Sequence, residues 1–264
     1  MKDTGASVIY CDVVCSFNGT RCYNPAHGHA IPSNSIKGDI NFLSKLRKSL
    51  PDNKAIWTEY GLPDSASMYA DGYISYYFME LNEFFGPALD RSDMKNFTEF
   101  DAPFTASRYL LPHYKVHCAA VGIEAGNKPS QVKYSFFNGD VLGMFTWFLF
   151  ESNSREHLNR ANKIKKAYKD CFLTKTPEVR VQTLINNVYS NKFPGKNRTV
   201  WTFYNAAPVS REGQMIAIPH KKGAVYRDIW NNKILTPEIK NNKAFITLSI
   251  APQDVGAIVQ EMTK

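Results

Sequence analysis

The feature that most restricts this chain is a change of texture near Lys175, around the segment "LTKTPEV". Before it, short apolar runs alternate with helical patterns. "SVIYCDVV" reads as a strand. "SNSIKGDINFLSKLRKSLPD" reads as a helix, since Ile36, Ile40, Leu43, Leu46, Arg47 and Leu50 recur at three- and four-residue steps. Ser33 or Ser35 is the expected cap, and Pro51 lies just past the end. "KAIWTEYG", "DGYISYYFM" and "HYKVHCAAVG" are further strands, with "ELNEFFGPAL" following the second. "SFFNGDVLGMFTWFLFE" leads into a basic helix, and "FFNGD" within it reads as a helix-initiating turn capped by Asn138 or Asp140. Strand then helix, repeated, argues for parallel βα units, because parallel neighbours need a long crossover between them.

Beyond Lys175 the runs are short and alternating: "RTVWTFYNAA", "GQMIAIPHKKGAVYRDIW", "NNKILTPEIKNNKAFITLSI" and "DVGAIVQEM". Turn-formers such as "HKKG", "WNNK" and "KNNK" separate them. That is the pattern of an antiparallel sandwich or sheet with tight hairpins. Trp201, Phe203 and Tyr204, with Ile246, Leu248 and Ile250, are its expected core. The expected organisation is therefore an α/β unit over residues 1–175 and an antiparallel β-sandwich over 176–264.

Composition excludes several classes. A net charge of +8 invites a nucleic-acid reading, but the cations are spread along the chain. The densest patch, "NRANKIKKAYKD", has helical spacing with Ala161, Ile164, Ala167 and Tyr168 on one side, which suits a solvated helix face. No apolar run reaches the ~18–20 residues of a membrane span. The first residues form a strand pattern rather than a signal peptide, so cellular location stays open. The five cysteines, Cys11, Cys15, Cys22, Cys118 and Cys171, show neither a disulfide framework nor paired CxxC spacing. Sequons at Asn18, Asn96 and Asn197 read as chance matches without a secretory route. There is no GxSxG elbow, Walker loop or dinucleotide fingerprint, and no cofactor is expected.

What remains is a pair of acids. In parallel βα folds, functional groups gather where strands end, because the loops there share one mouth. Asp12 ends "SVIYCD" and Glu59 ends "KAIWTE", on successive strands joined by one helix. Two facing carboxyls are what glycoside hydrolysis needs: one ionised at the anomeric carbon, one protonated at the leaving oxygen. Burial against Trp57 or Tyr60 would favour the protonated role. An acid at a strand end also caps loops or pairs with lysine, so each residue alone is equally well a structural one.

The surroundings add weight. The loop "SFNGTRCYNPAHGHAIPSNS" is long and irregular and carries Arg21, Tyr23, Asn24, His27 and His29, planar polar groups and aromatics that suit a sugar. His27 and His29 serve equally as loop-ordering hydrogen bonders; a metal is not expected, since "HGH" lacks the i, i+4 spacing of a helical zinc site. The second loop adds Tyr60 and Asp71, the latter either a third acid in the mouth or the turn residue of a "DG" pair. Glu124, before a Gly turn, is a weaker rim candidate.

"VIYCDVV", the "CYNPAHGHAIP" loop and "IWTEYGLPD" together resemble the second half of the α-galactosidase and α-amylase type of glycoside hydrolase barrel. The segments after residue 197 resemble its appended β-sandwich. The resemblance implies the C-terminal part of a (β/α)8 barrel followed by a β-sandwich, beginning on what would be strand four. It implies Asp12 as nucleophile and Glu59 as general acid/base, as in amylase-type enzymes, with a carbohydrate as partner. In the α-galactosidase group the acid/base comes from a later strand, which keeps Asp71 in play. A barrel begun at strand four is expected to expose strand edges and to need completion for activity. The oligomeric state stays open.

Overall fold

A computed structural model describes residues 5–15, 21–59, 62–75, 106–120, 130–144 and 154–262. The segment "ELNEFFGPAL", Tyr60 and Glu124 lie outside the described residues. Strand β1 (Val8–Cys11) is followed by a two-residue ladder, β2 (Arg21–Cys22) with β3 (Ser33–Asn34), and by helix α1 (Ser35–Ser49). Next come β4 (Ala55–Thr58), the short α2 (Asp64–Ser67), β5 (Gly72–Ser75), α3 (Ala106–Leu110) and β6 (Lys115–Ala120). Then α4 (Ser130–Asn138), β7 (Val141–Met144), α5 (Ser154–Ala167) and α6 (Lys169–Phe172) complete this part. The strands form one five-stranded sheet in the order β1-β4-β5-β6-β7, every pairing parallel. This agrees with the βα reading.

Helix α1 packs on the sheet through Leu43, fully buried against a cluster with Cys11, Ile56, Ala66 and Tyr114. Its cap is Asn34, whose Oδ1 accepts the Ile36 N–H at 2.8 Å, and not Ser33 or Ser35. Asn34 is the residue in the extended conformation just before the first turn, which is where a capping side chain must stand. "FFNGD" is corrected more sharply. It ends helix α4 rather than starting one, because Gly139 takes a left-handed φ of +71° and turns the chain into β7.

The remaining strands are β8 (Val188–Pro194), β9 (Arg198–Asn205), β10 (Arg211–Pro219), β11 (Ala224–Asp228), β12 (Lys233–Leu235), β13 (Glu238–Lys240), β14 (Lys243–Ile250) and β15 (Val255–Met262). They form two antiparallel sheets, β12-β11-β15-β9-β8 and β10-β14-β13. Two of the three turn signals are hairpins, "WNNK" between β11 and β12 and "KNNK" between β13 and β14; "HKKG" is instead a crossover, since β10 pairs with β14 and β11 lies in the other sheet. Asn241 and Asn242 both have positive φ, 52° and 58°, in the two-residue β13–β14 turn, the geometry that favours asparagine. Trp201 and Phe203 pack with Ile246, Leu248 and Ile250 in one core between these sheets. Val200 and Tyr204, on the other face of β9, join Phe136 and Phe137 of α4 and Ile164 of α5 in a second core. Strand β9 is thus buried on both sides, and Tyr204 belongs to the junction rather than to the inter-sheet core.

Two glycines separate a required conformation from an incidental one. At Gly139 a Cβ would lie 2.8 Å from the Phe193 ring, and the φ is already unfavourable for other residues. Gly139→Ala is expected to lower stability by about 1–3 kcal/mol in urea unfolding. Gly38, inside α1 with open space around it, is expected to raise stability by roughly 0.5–1 kcal/mol when replaced by alanine.

Candidate functional site

At the carboxyl end of the parallel sheet, β1 and β4 run side by side with Cys11 opposite Thr58. The residue that follows each strand is an acid, Asp12 after β1 and Glu59 after β4. The ladder runs one step past the strands, since the Glu59 N–H donates to the Cys11 carbonyl at 3.2 Å. Glu59 Oε2 in turn accepts the N–H of Val13, next to Asp12, at 3.1 Å. The Tyr10 hydroxyl donates to Asp12 Oδ1 at 3.2 Å. Both acids therefore stand at one end of adjacent strands, with Glu59 half-buried and Asp12 exposed.

The backbone here is unusual. Val13 and Cys15 both have φ of 56°, a region that β-branched and bulky residues rarely enter. Such strain collects at functional sites, where surrounding contacts hold it in place. The Glu59 carboxylate on Val13 N–H is one such contact. The Cys15 N–H donates to Asp39 Oδ2 of α1 at 3.3 Å and is another. Burial, reinforced by Asp39, pushes the Cys15 thiol up to about 11, so it stays protonated and is no nucleophile at neutral pH.

The loop after β1 brings several predicted residues together. Asn24 Oδ1 accepts the Ala26 N–H at 2.9 Å and caps the 3-10 turn Pro25–His27. That orientation turns the Asn24 amide NH2 to His27 Nε2 at 3.1 Å. His27 then carries its proton on Nδ1 and donates it to Cys22 Sγ at 3.2 Å. His29 donates from Nδ1 to the Ala30 carbonyl at 3.0 Å, leaving Nε2 as an acceptor. The Cys22, His27 and His29 donor atoms all lie within 4.8 Å of one another, a spacing a thiolate- and imidazole-binding metal needs. The Asn24 contact opposes such use of His27 Nδ1, so this hydrogen-bond network acts first as a loop staple. Arg21 and Tyr23 are exposed on the same loop.

Asp71 is not part of this mouth. It precedes β5, so it stands at the opposite end of the parallel sheet from Asp12 and Glu59. Its Oδ2 accepts from Arg47 Nη1 and from the Ile56 N–H, both at 2.9 Å, tying the end of α1 to β4. Its backbone also extends the sheet ladder, its N–H donating to the Ile56 carbonyl and its carbonyl accepting the Lys115 N–H, both at 2.8 Å, so Asp71 leads the chain into β5.

Sequence reading misses Tyr114. Fully buried, it contacts Thr58 Oγ1 at 3.2 Å and accepts the Leu62 N–H at 3.2 Å, gripping the chain on both sides of Glu59. Burial raises its phenol to about 12, which keeps the hydroxyl neutral. The available signal was an aromatic two residues after a proline, just before a strand. It does not identify a partner 52 residues away.

Solved structures share this arrangement of a parallel sheet followed by antiparallel sheets. The chain is similar to an α-amylase from Anoxybacillus, with TM-score 0.52 and 12% identity over 85% of this chain and 57% of that one. It is similar to the Geobacillus thermoleovorans α-amylase complexed with acarbose (TM-score 0.54, 11% identity, 85% and 58% covered). A β-L-arabinopyranosidase of glycoside hydrolase family 27 from Geobacillus stearothermophilus gives TM-score 0.56 at 9% identity, over 98% and 59%. At these identities the likeness is one of fold. The chain spans less than two thirds of the length of each of these enzymes. No protein-family profile and no curated protein matches it.

Tyr114→Phe leaves the Leu62 N–H without its acceptor and should cost about 1–3 kcal/mol in urea unfolding. Asp71→Asn keeps the acceptor for Ile56 but loses the charge of a partly exposed ion pair. Its expected cost is below about 1 kcal/mol in urea unfolding.

Proposed function

We propose that the chain is a glycoside-hydrolase-like protein acting on O-glycosidic bonds of a carbohydrate. In this reading residues 1–175 are the C-terminal part of a (β/α)8 barrel and 176–264 an appended β-sandwich. The observation that carries it is the pairing of Asp12 and Glu59 on adjacent parallel strands, linked through Val13. Asp12, the more exposed, serves as nucleophile or charge stabiliser. Glu59, half-buried and held against the backbone, serves as general acid/base. Arg21, Tyr23, Asn24, His27 and His29 line the sugar subsite, with the His27 staple holding the loop's shape. Carbohydrate complexes of structural neighbours, with acarbose in one and maltose in another, support that substrate class.

A second reading, a non-catalytic carbohydrate-binding remnant, is favoured by one observation. Val8 and Tyr10, on the face of β1 away from α1, are 46% and 41% exposed. In a closed barrel that face is packed interior. Under this reading sugar binds without turnover.

A panel of aryl glycosides separates the two. The first reading predicts turnover that falls by at least ~100-fold in both Asp12→Asn and Glu59→Gln. Turnover equal to wild type in both variants overturns it, and binding without turnover on every substrate selects the remnant.

A further inference from the structure

The far end of the parallel sheet holds a cavity of about 130 Å³, several times what one water needs. Arg108 of α3, Lys115 at the start of β6, Lys165 of α5 and Lys169 at the start of α6 line it. Asp140, just before β7, is the one carboxylate among the described lining residues, and Phe172 is part of the apolar wall. Four cations beside one carboxylate repel one another.

Arg108 is the decisive group. Its side chain is fully buried. Nη2 donates to the Phe172 carbonyl at 2.5 Å, and the guanidinium lies 5.7 Å from the centre of the Phe193 ring. Nε and Nη1 have no hydrogen-bond partner among the described residues. Buried guanidinium donors are ordinarily satisfied, so two idle ones beside a cavity mark a place for an acceptor. Lys115 donates to the Pro112 carbonyl at 2.5 Å, and Lys165 to the carbonyls of Ser135 and Asp140. Burial, with Arg108 and Lys175 nearby, pulls the Lys115 ammonium down to about 8. Lys169 is exposed at the rim.

We propose that this cavity binds a tetrahedral dianion, sulfate or the phosphate group of a small ester, between the Arg108 fork and the ammonium groups of Lys115 and Lys169. The planar guanidinium suits two oxyanion oxygens, while the lysines act as point charges on the others. The site is separate from Asp12 and Glu59: Lys115 and Val141 begin their strands, whereas those acids follow theirs. Its occupant ties α3 and β6 to α6, whose Phe172 ring packs 5.3 Å from Phe193 of β8. An anion here therefore fastens the parallel sheet to the antiparallel part without touching sugar chemistry.

The test is thermal unfolding of the whole chain in sodium sulfate against sodium chloride at matched ionic strength, with calorimetric titration of sulfate. Expected are a saturable rise in Tm with sulfate that chloride does not reproduce, and one sulfate per chain. Lys169→Gln, at the exposed rim, should weaken binding by about tenfold. Sulfate keeps its charge from pH 6 to 9, so affinity should fall as pH rises through about 8 where Lys115 loses its proton. Lys115→Met should remove that pH dependence. Arg108→Met should abolish binding; if that variant does not fold, the two lysine variants decide. Competition by glycerol phosphate identifies an ester as the natural source, and competition by inorganic phosphate alone identifies the free ion. Equal Tm shifts in sulfate and chloride, or wild-type sulfate binding by both lysine variants, overturn the proposal.

Discussion

The parallel pairing of β1 with β4 is the constraint on which the candidate site depends. With Cys11 opposite Thr58, the next residue on each strand is an acid. Side chains alternate along a strand, so a slip of one residue would turn the whole of β4 over and send Ile56 out of the α1 core. The buried position of Ile56 under Leu43 therefore also holds Glu59 beside Val13. Tyr114, just before β6, reinforces the same register by gripping Thr58 and Leu62. Apolar burial sets the sheet, and the sheet sets the acids.

A second constraint joins the two parts of the molecule. Strand β9 packs one face on the opposing antiparallel sheet and the other on α4 and α5. Thr202 Oγ1 and Asn191 Nδ2 both donate to the Phe137 carbonyl, at 2.6 and 3.1 Å, inside that junction. The Phe137 carbonyl belongs to the last turn of α4, where helices leave acceptors unpaired. The antiparallel strands thus complete the end of a helix from the other part. This polar lock within an apolar interface favours one orientation of the two parts over others.

Much of this was legible in sequence. The three- and four-residue period of α1, the asparagine turns and the change from parallel to antiparallel strands all correspond to observed elements. So do the acids after "SVIYC" and "KAIWT". The failures have a common cause, which is that local patterns do not say which end of an element a residue serves. Asp71 is an acid beside an apolar run, as Asp12 and Glu59 are, but it precedes its strand and so falls at the opposite end of the sheet. "FFNGD" carries cap-forming residues, yet Gly139 with its positive φ makes it a helix end. The two-sided burial of β9 has a trace in "VWTFY", a near-continuous apolar run broken only by Thr202, which a purely alternating reading overlooks. The Asn24–His27–Cys22 staple depends on the path of the loop, and the burial of Arg108 on contacts with Phe172 of α6 and Phe193 of β8. Neither leaves a local signature.

The central claim is that Asp12 and Glu59 form one catalytic pair. The most direct measurement is covalent labelling by a panel of glycosyl epoxides, followed by peptide mapping. The account predicts that an epoxide of matching sugar configuration labels the peptide bearing Asp12, and labels it more slowly in Glu59→Gln, where no acid remains to assist ring opening. No label from any epoxide in the panel, or a label on another peptide that Asp12→Asn leaves unchanged, would contradict it.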